Sequence, residues 1–169
     1  PEVGKIMHTD SDDFLFDQGP SRGLGKIQFH DYQPIFEEFP LPNVRLFQQQ
    51  TEVFKRLLEN ATPDDEQKRD IDFLMSMGEM FTLVVYGQLA LEEAKLQGLE
   101  ADLIDQIFDF MVRDFSRYAV ELHGKQSSNE EQMKYLLEMI RKPAVDKQRY
   151  ENVWTHHVHA LKDAYVMNE

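Results

Sequence analysis

The sequence predicts an all-α protein, an up-and-down bundle of about five helices over residues 43–169, preceded by an irregular arm over residues 1–42. Three observations predict it. The stretch 71–96 is apolar on nearly every face, and 101–123 alternates apolar and charged residues at helical spacing. Residues that cap or break helices separate these segments at short intervals. Short connections between helices favour antiparallel neighbours.

Composition restricts the class of partner. The chain of 169 residues carries 31 acidic and 18 basic residues, a net charge of −13. This balance argues against a nucleic-acid partner, because phosphate binding relies on clustered Lys and Arg. There is no cysteine, so thiolate chemistry and iron–sulfur ligation are excluded. No uninterrupted apolar run reaches ~18 residues, so we expect no transmembrane segment, and we expect a cytoplasmic protein.

The arm over residues 1–42 is rich in proline, glycine and aromatic residues. Its composition permits short extended pieces at 14–16 and 27–29. A free linker is normally poor in aromatic residues, so the arm is expected to pack on something. The preferred interpretation is that it covers the bundle, and the alternative is that it runs along a neighbouring domain.

The first long helix is expected to start at Asn43 as the N-cap and to stop near Asn60. Thr62 and Pro63 then have the pattern of a helix start. This second helix is predicted to run to Leu96, to end at Gly98, and to be the central helix, enclosed by the others. Its two other glycines, nine residues apart, are expected to admit close neighbours rather than to mark kinks: Gly78 and Gly87.

Residues 101–123 form the clearest amphipathic pattern, with Asp105, Asp109 and Arg113 on its predicted solvent face. A capping-box pattern beginning at Ser128 predicts a short helix that Pro143 stops. The last helix is predicted over 147–165. Its inward side chains are expected to be Tyr150, Val153, Trp154, His157, Val158 and Leu161.

Two sets of residues are candidate sites. Glu79 and Gln88 interrupt the apolar helix and form a possible buried polar site, although such residues more often pair at a helix crossing. His156 and His159 share one helical face and are candidate metal ligands, whereas His157 on the apolar stripe is expected to be a core histidine.

Other patterns fail on spacing. The glycine-rich segment over 19–26 fits neither phosphate-binding loop. No histidine has an acidic residue three positions before it, as di-iron bundles require, and the acidic residues at 10–13 do not continue as a calcium loop. We therefore predict no catalytic, cofactor-binding or established metal residue.

Five stretches together are similar to a known family: GLGKIQFHDYQPIFEEF (23–39), LPNVRLFQQQTEVFKRLL (41–58), GEMFTLVVYGQLALEEA (78–94), DLIDQIFDFMVRDFSRYAVELHGK (102–125) and MIRKPAVD (139–146). They resemble the C-terminal extension of long, multidomain bacterial acyl-CoA dehydrogenases, in register from about residue 14 to the end. None of the stretches is a catalytic motif.

The resemblance implies an accessory helical domain of an FAD-dependent enzyme that dehydrogenates fatty acyl-CoA. The family's catalytic glutamate commonly lies in a Tyr-Glu-Gly-Thr-like segment, and this chain contains no Tyr-Glu-Gly. No catalytic residue is therefore carried over, and this segment alone is expected to be inactive, with FAD in the parent enzyme. The abrupt start at Pro1 agrees with an excised domain. The implied partners are the catalytic core domains of the parent chain, with homo-oligomerisation possible.

Two alternatives remain open. The first is a free-standing helical interaction or dimerisation module without catalysis, which pairs through an exposed apolar face. The second is an independent small-molecule or metal site in the bundle, centred either on Glu79 and Gln88 or on His156 and His159.

Overall fold

A computed structural model describes residues 31–164. Contacts divide the chain into two units, Pro1–Asp31 and Tyr32–Glu169, and the second is the bundle. The predictions for 14–16, 27–29, 19–26 and 10–13 lie outside the described residues. Six α-helices are described: α1 (Gln33–Glu38), α2 (Pro42–Asn60), α3 (Ile71–Gln97), α4 (Ala101–His123), α5 (Glu130–Met139) and α6 (Lys147–Val153). No strand occurs in residues 31–164. The all-α bundle is confirmed.

The long helices alternate in direction. The start of α2 contacts the start of α4 and their middles also meet, so α2 and α4 run parallel. The start of α3 contacts the end of α4 through Ser76 and Glu121, so α3 is antiparallel to both. Both α5 and α6 run antiparallel to α4, because Met139 lies near Ser116 and Asn152 near Asp102. The fifth predicted helix therefore continues the direction of the fourth after a break around Pro143.

Helix α4, rather than α3, is the central helix. It packs against α2, α3, α5 and α6, whereas α3 packs on α4, α1 and the turn before it. Five buried phenylalanines cross the α1–α2–α4 contact, mostly edge to face: Phe36, Phe47, Phe54, Phe108 and Phe115. The prediction that α3 is enclosed was wrong, because among the described helices its neighbours lie on one side and many of its other residues are exposed.

Helix α3 begins later than predicted. Asp70 is its N-cap, and the Asp70 carboxylate accepts the backbone N–H of Phe73. The expected start at Thr62 was wrong because the buried Gln67 of the 3-10 turn Gln67–Arg69 exchanges two hydrogen bonds with Gln132 of α5. Those bonds hold residues 62–70 in a turn. The predicted end is confirmed, since Gly98 caps α3 with φ 64°.

The two glycines within α3 differ in their surroundings. A Cβ atom added at Gly87 would lie 2.6 Å from Cε1 of Phe47, so the ring of Phe47 packs directly on the backbone of α3 there. A Cβ atom at Gly78 would meet nothing within 4 Å. Close packing is thus confirmed at Gly87, and Gly78 lies on the open side of the helix.

The start of the bundle includes part of the predicted arm. Tyr32 and Phe36 are buried, and α1 lies within the region expected to be irregular. Helix α2 starts at Pro42 after the N-cap Leu41. The predicted N-cap Asn43 was wrong, because the Asn43 amide bonds instead to Asp105 and to the backbone carbonyl of Ala144. A capping box does start α5, one residue later than expected, between Asn129 and Gln132.

The last helical segment differs most from expectation. Helix α6 spans seven residues and continues as a π-helical turn, Trp154–Val158, and a 3-10 turn, His159–Leu161. Its predicted inward residues are exposed or half-buried, including Tyr150, Trp154 and Leu161. The residue that α6 buries is Arg149. The apolar stripe predicted the wrong inward side of this helix, because α6 packs on the two aspartates of α4 through Arg149.

Candidate functional site

The most deeply buried charges form one cluster around Arg149. Its side chain is 4% exposed and contacts the buried carboxylates of both Asp105 and Asp109. The Arg149 Nη2 atom lies 3.2 Å from Asp109 Oδ2, and Nη1 donates to Asp105 Oδ2. Asp105 and Asp109 are one helical turn apart on α4, so a single guanidinium spans both.

The remaining acceptors of this cluster are also occupied. Asp105 Oδ1 accepts the backbone N–H of Asn43 at 2.7 Å, and Asp109 Oδ1 accepts Nε of Arg113 at 2.7 Å. Arg149 also donates to the carbonyl of Ala144. Two carboxylates and two guanidinium groups balance in charge. Every charge in the cluster has a partner within the fold. Because these partners lie on different segments, the cluster fastens the start of α2 and the segment 144–149 to α4.

Sequence reasoning placed Asp105 and Asp109 on the solvent face of α4, and that was wrong. The available signal was their position beside Ile104 and Phe108, at the border of the apolar stripe. Two acidic residues one turn apart on such a border can be buried when a cation is supplied from another helix. The sequence does not show that Arg149, forty residues away, supplies it.

Two histidines of the last segment, His156 and His157, lie near Glu100. His157 Nε2 lies 3.3 Å and His156 Nδ1 3.7 Å from Glu100 Oε2. The His157 side chain is 33% exposed, so the prediction of a core histidine was wrong. His159 is exposed on the following 3-10 turn. Within residues 31–164 no three potential ligands lie close enough to hold a metal ion, so the candidates His156 and His159 gain no support.

The candidate pair on α3 does not meet. Glu79 is exposed, whereas Gln88 is half-buried and donates to Glu92 at 2.8 Å. The predicted buried polar site at Glu79 and Gln88 was therefore wrong for this fold. The reason is that the side of α3 carrying Glu79 faces away from the other described helices.

A surface cavity of about 620 Å³ lies between the turn before α3 and the end of α4. Its charged lining consists of Asp64, Glu66, Asp70, Asp72 and Lys125. Lys125 pairs with Asp72, and the backbone N–H of Phe73 together with the Ser127 hydroxyl lowers the pKa of Asp70. Carboxylates repel a pyrophosphate, so this cavity does not fit FAD, the cofactor implied by the resemblance.

Within residues 31–164, a row of apolar side chains is exposed along the outer side of α3. Its apolar residues are between 41% and 81% exposed: Ile71, Met75, Val85, Tyr86, Leu89 and Leu96. Gly78, Glu79 and Thr82 lie exposed between them. We call these nine residues the outer face of α3. The opposite side carries Phe73, Met80 and Leu91, all buried against the bundle.

Helix α3 is also long and apolar enough to cross a membrane by length and composition alone. One third of its most apolar 18-residue stretch is buried in the bundle. A core helix of a soluble protein passes the same test, so this property does not choose between a lipid and a protein environment.

No family model, no curated protein and no solved structure matches the chain. The class that the fold defines is an all-α bundle, and in the described part of the chain the outer side of α3 is apolar and exposed. The similarity to acyl-CoA dehydrogenase extensions stays a prediction.

Proposed function

We propose that this chain is a helical association domain, which holds its protein in an assembly through the outer face of α3. One observation carries the proposal. Six large apolar side chains lie exposed on one side of a single 27-residue helix. A soluble monomer rarely leaves such a contiguous patch in water, and larger patches mark interaction sites.

The polar chemistry of the bundle supports the same conclusion. The buried carboxylates and the guanidinium around Arg149 fasten helices to one another. The buried amides of Gln67 and Gln132 do the same between the turn and α5. Groups that are committed to one another in this way stabilise the fold, and we assign the bundle no reaction of its own.

We further propose that the protein served by this domain is an FAD-dependent acyl-CoA dehydrogenase located in the cytoplasm. Support comes from the resemblance of the five stretches between residues 23 and 146. FAD and the catalytic base would then belong to core domains outside this chain, since the cavity beside Asp70 and Asp72 is acidic. The role of the bundle would be assembly of that enzyme.

Oxidative footprinting tests the association. Tyr86 on the outer face and Tyr150 on α6 are 60% and 56% exposed, so the isolated fold oxidises both to a similar extent. We expect intact cells to show several-fold less oxidation of Tyr86 and Met75 relative to Tyr150 than the purified protein at high dilution. Equal oxidation of the two tyrosines in cells would contradict the proposal.

The gene tests the identity of the parent. We expect the reading frame to continue upstream of the Pro1 codon and to encode flavoprotein core domains. A stop codon followed by a start codon directly before Pro1 would contradict the acyl-CoA dehydrogenase proposal. The chain would then be a free-standing interaction module, and the footprinting result would still apply to it.

A further inference from the structure

We propose that the outer face of α3 pairs with the same face of a second copy of this chain. The two helices would run antiparallel about a two-fold axis located between residues 83 and 84. This inference rests on the proposed association function and names the occupant of the face.

The spacing of the exposed residues indicates a helix as the occupant. Ile71, Met75, Gly78, Thr82, Val85 and Leu89 follow one another at alternating intervals of four and three residues, and Leu96 continues the series one heptad after Leu89. A repeat of ~3.5 residues is the pattern with which one helix packs along another. The whole series is accessible except at Glu92, the half-buried position between Leu89 and Leu96.

Side-chain sizes along the series are complementary to themselves in the antiparallel direction. Gly78 would face Leu89 of the partner subunit, and Thr82 would face Val85 of the partner subunit, so each small residue meets a larger one. Ile71 would meet Leu96 of the partner subunit at both ends. A self-complementary surface of this kind fits a two-fold dimer, in which each contact occurs twice.

The parallel arrangement is less favourable for two reasons. It would place Gly78 opposite Gly78 and Thr82 opposite Thr82 of the partner subunit. Small residues would then face small residues at two adjacent positions, and the helices would pack there with gaps. It would also place Glu92 opposite Glu92 of the partner subunit, and two like charges at a closed seam repel each other. In the antiparallel arrangement Glu92 lies beside Met75 of the partner subunit instead.

The outer side of α3 carries few charges: Glu79 near its middle and the exposed Glu93 near its C-terminal end. Glu79 is the only charged residue of α3 between Phe73 and Leu91. Next to the antiparallel seam, Glu79 would lie on the same side as Tyr86 of the partner subunit, whose phenolic hydroxyl can donate to the carboxylate. A carboxylate with such a donor can lie at the edge of an apolar interface.

The available area is sufficient. The six apolar side chains present on the order of 700 Å² of accessible surface, against ~800 Å² per partner in a standard protein–protein interface. An antiparallel pair of α3 helices would cover most of this surface on both copies at once.

Sedimentation analysis of the full 169-residue chain tests the dimer. We expect a dimer at ~100 μM that dissociates on dilution, and at least a tenfold weaker association for Leu89→Lys. Leu137→Lys is the matched control, because Leu137 lies on α5 and has the same 55% exposure as Leu89. The control is expected to dimerise like the wild type. A monomeric wild type, or equal loss in both variants, would overturn the inference.

Disulfide crosslinking tests the orientation, since the chain has no native cysteine. Ile71 and Leu96 are 73% and 81% exposed, so cysteine at either position leaves the fold intact. Mixing Ile71→Cys with Leu96→Cys is expected to give crosslinked heterodimers. Neither variant should crosslink to itself, because identical positions near the helix ends would be roughly 35 Å apart. Self-crosslinking of Ile71→Cys would show a parallel pair and overturn the proposed geometry.

Failure of this inference is distinguishable from failure of the proposed function. If Tyr86 is protected in cells while the purified chain stays monomeric, another protein covers the face and only the self-pairing is wrong. Binding of the monomer to phosphatidylcholine vesicles, lost in Leu89→Lys but retained in Leu137→Lys, would show a lipid surface as the occupant and overturn it too. An unprotected Tyr86 contradicts the association function itself.

Discussion

Helices α3 and α4 differ in composition and in position, and their positions are the reverse of what their compositions predict. Between residues 73 and 91, α3 contains one charged residue, yet one whole side of it faces away from the bundle. Helix α4 carries charges on almost every turn, yet it touches four other helices. The more apolar helix is therefore at the edge and the more charged one at the centre.

The difference shows that burial depends on the partners a helix finds. Asp105 and Asp109 are buried because Arg149 and Asn43 complete their hydrogen bonds. The outer residues of α3, such as Met75 and Leu89, are exposed because the chain supplies no further described helix on that side. The apolar residues exposed on the edge helix are the basis of the proposed association, whereas the charges at the centre fasten the helices of the bundle to one another.

The largest expected effect on stability comes from removing the cation at the centre of the bundle. Arg149→Ala leaves Asp105 and Asp109 buried without it, and loss of one partner from a buried ion pair costs about 3–5 kcal/mol. We expect the free energy of unfolding in urea to fall by that amount. The matched control is Arg113→Ala: Arg113 pairs with the same Asp109, but its side chain is 57% exposed. Its cost is expected to be at most ~1 kcal/mol.

A cost for Arg149→Ala as small as that of Arg113→Ala would mean that α6 does not fasten to α4. A triple variant that also carries Asp105→Asn and Asp109→Asn sharpens the comparison. We expect it to recover part of the lost stability, because neutral amides need no cation.

The next effect separates the two sides of α3. Gly87→Ala places a methyl group against the Phe47 ring, and overpacking of a well-packed contact typically costs about 1–3 kcal/mol. Gly78→Ala is the matched control on the open side, expected to stabilise the monomer by ~0.5–1 kcal/mol through helix propensity. Urea unfolding at a protein concentration too low for dimers measures both.

The source of the Gly87 effect can be checked in a second background. Phe47→Leu removes the ring atoms that the new methyl group would meet. We expect the cost of Gly87→Ala to be smaller in that background than in the wild type. An equal cost in the two backgrounds would mean that the Phe47 ring does not pack on Gly87.

The smallest effect concerns pH at the start of α3. The pKa of Asp70 is lowered, chiefly because the folded carboxylate accepts the backbone N–H of Phe73. The charged cap therefore adds stability that is fully present above the ordinary aspartate value of 3.8 and is lost as the pH falls through the lower folded pKa.

We expect the melting temperature of Asp70→Asn to lie below that of the wild type near neutral pH and to approach it in acid. Asparagine keeps the cap geometry but does not titrate. Asp65→Asn, at an exposed position of the same turn, should follow the wild type at every pH. A constant gap between Asp70→Asn and the wild type would exclude Asp70 as the source of the pH dependence.

The local signals in the sequence predicted much of the fold. The helical class and the bounds of α4 follow from the apolar periodicity, and the end of α3 follows from Gly98, because these signals act within one or two turns. The bounds that failed were those at Asn43 and Thr62. At both, a side chain of the turn or of the first helical residues bonds to a distant helix, and no local pattern reports such a bond.

The sequence by itself determines the net charge, the helical class and the long apolar stretch of α3, since each depends on composition and on neighbours along the chain. The tertiary structure alone decided which helix is central, that Arg149 lies between Asp105 and Asp109, and which side of α3 stays exposed. These outcomes depend on pairs such as Arg149 with Asp109 and Phe47 with Gly87, which lie forty residues apart. Their packing and charge compensation exist only after the chain has folded.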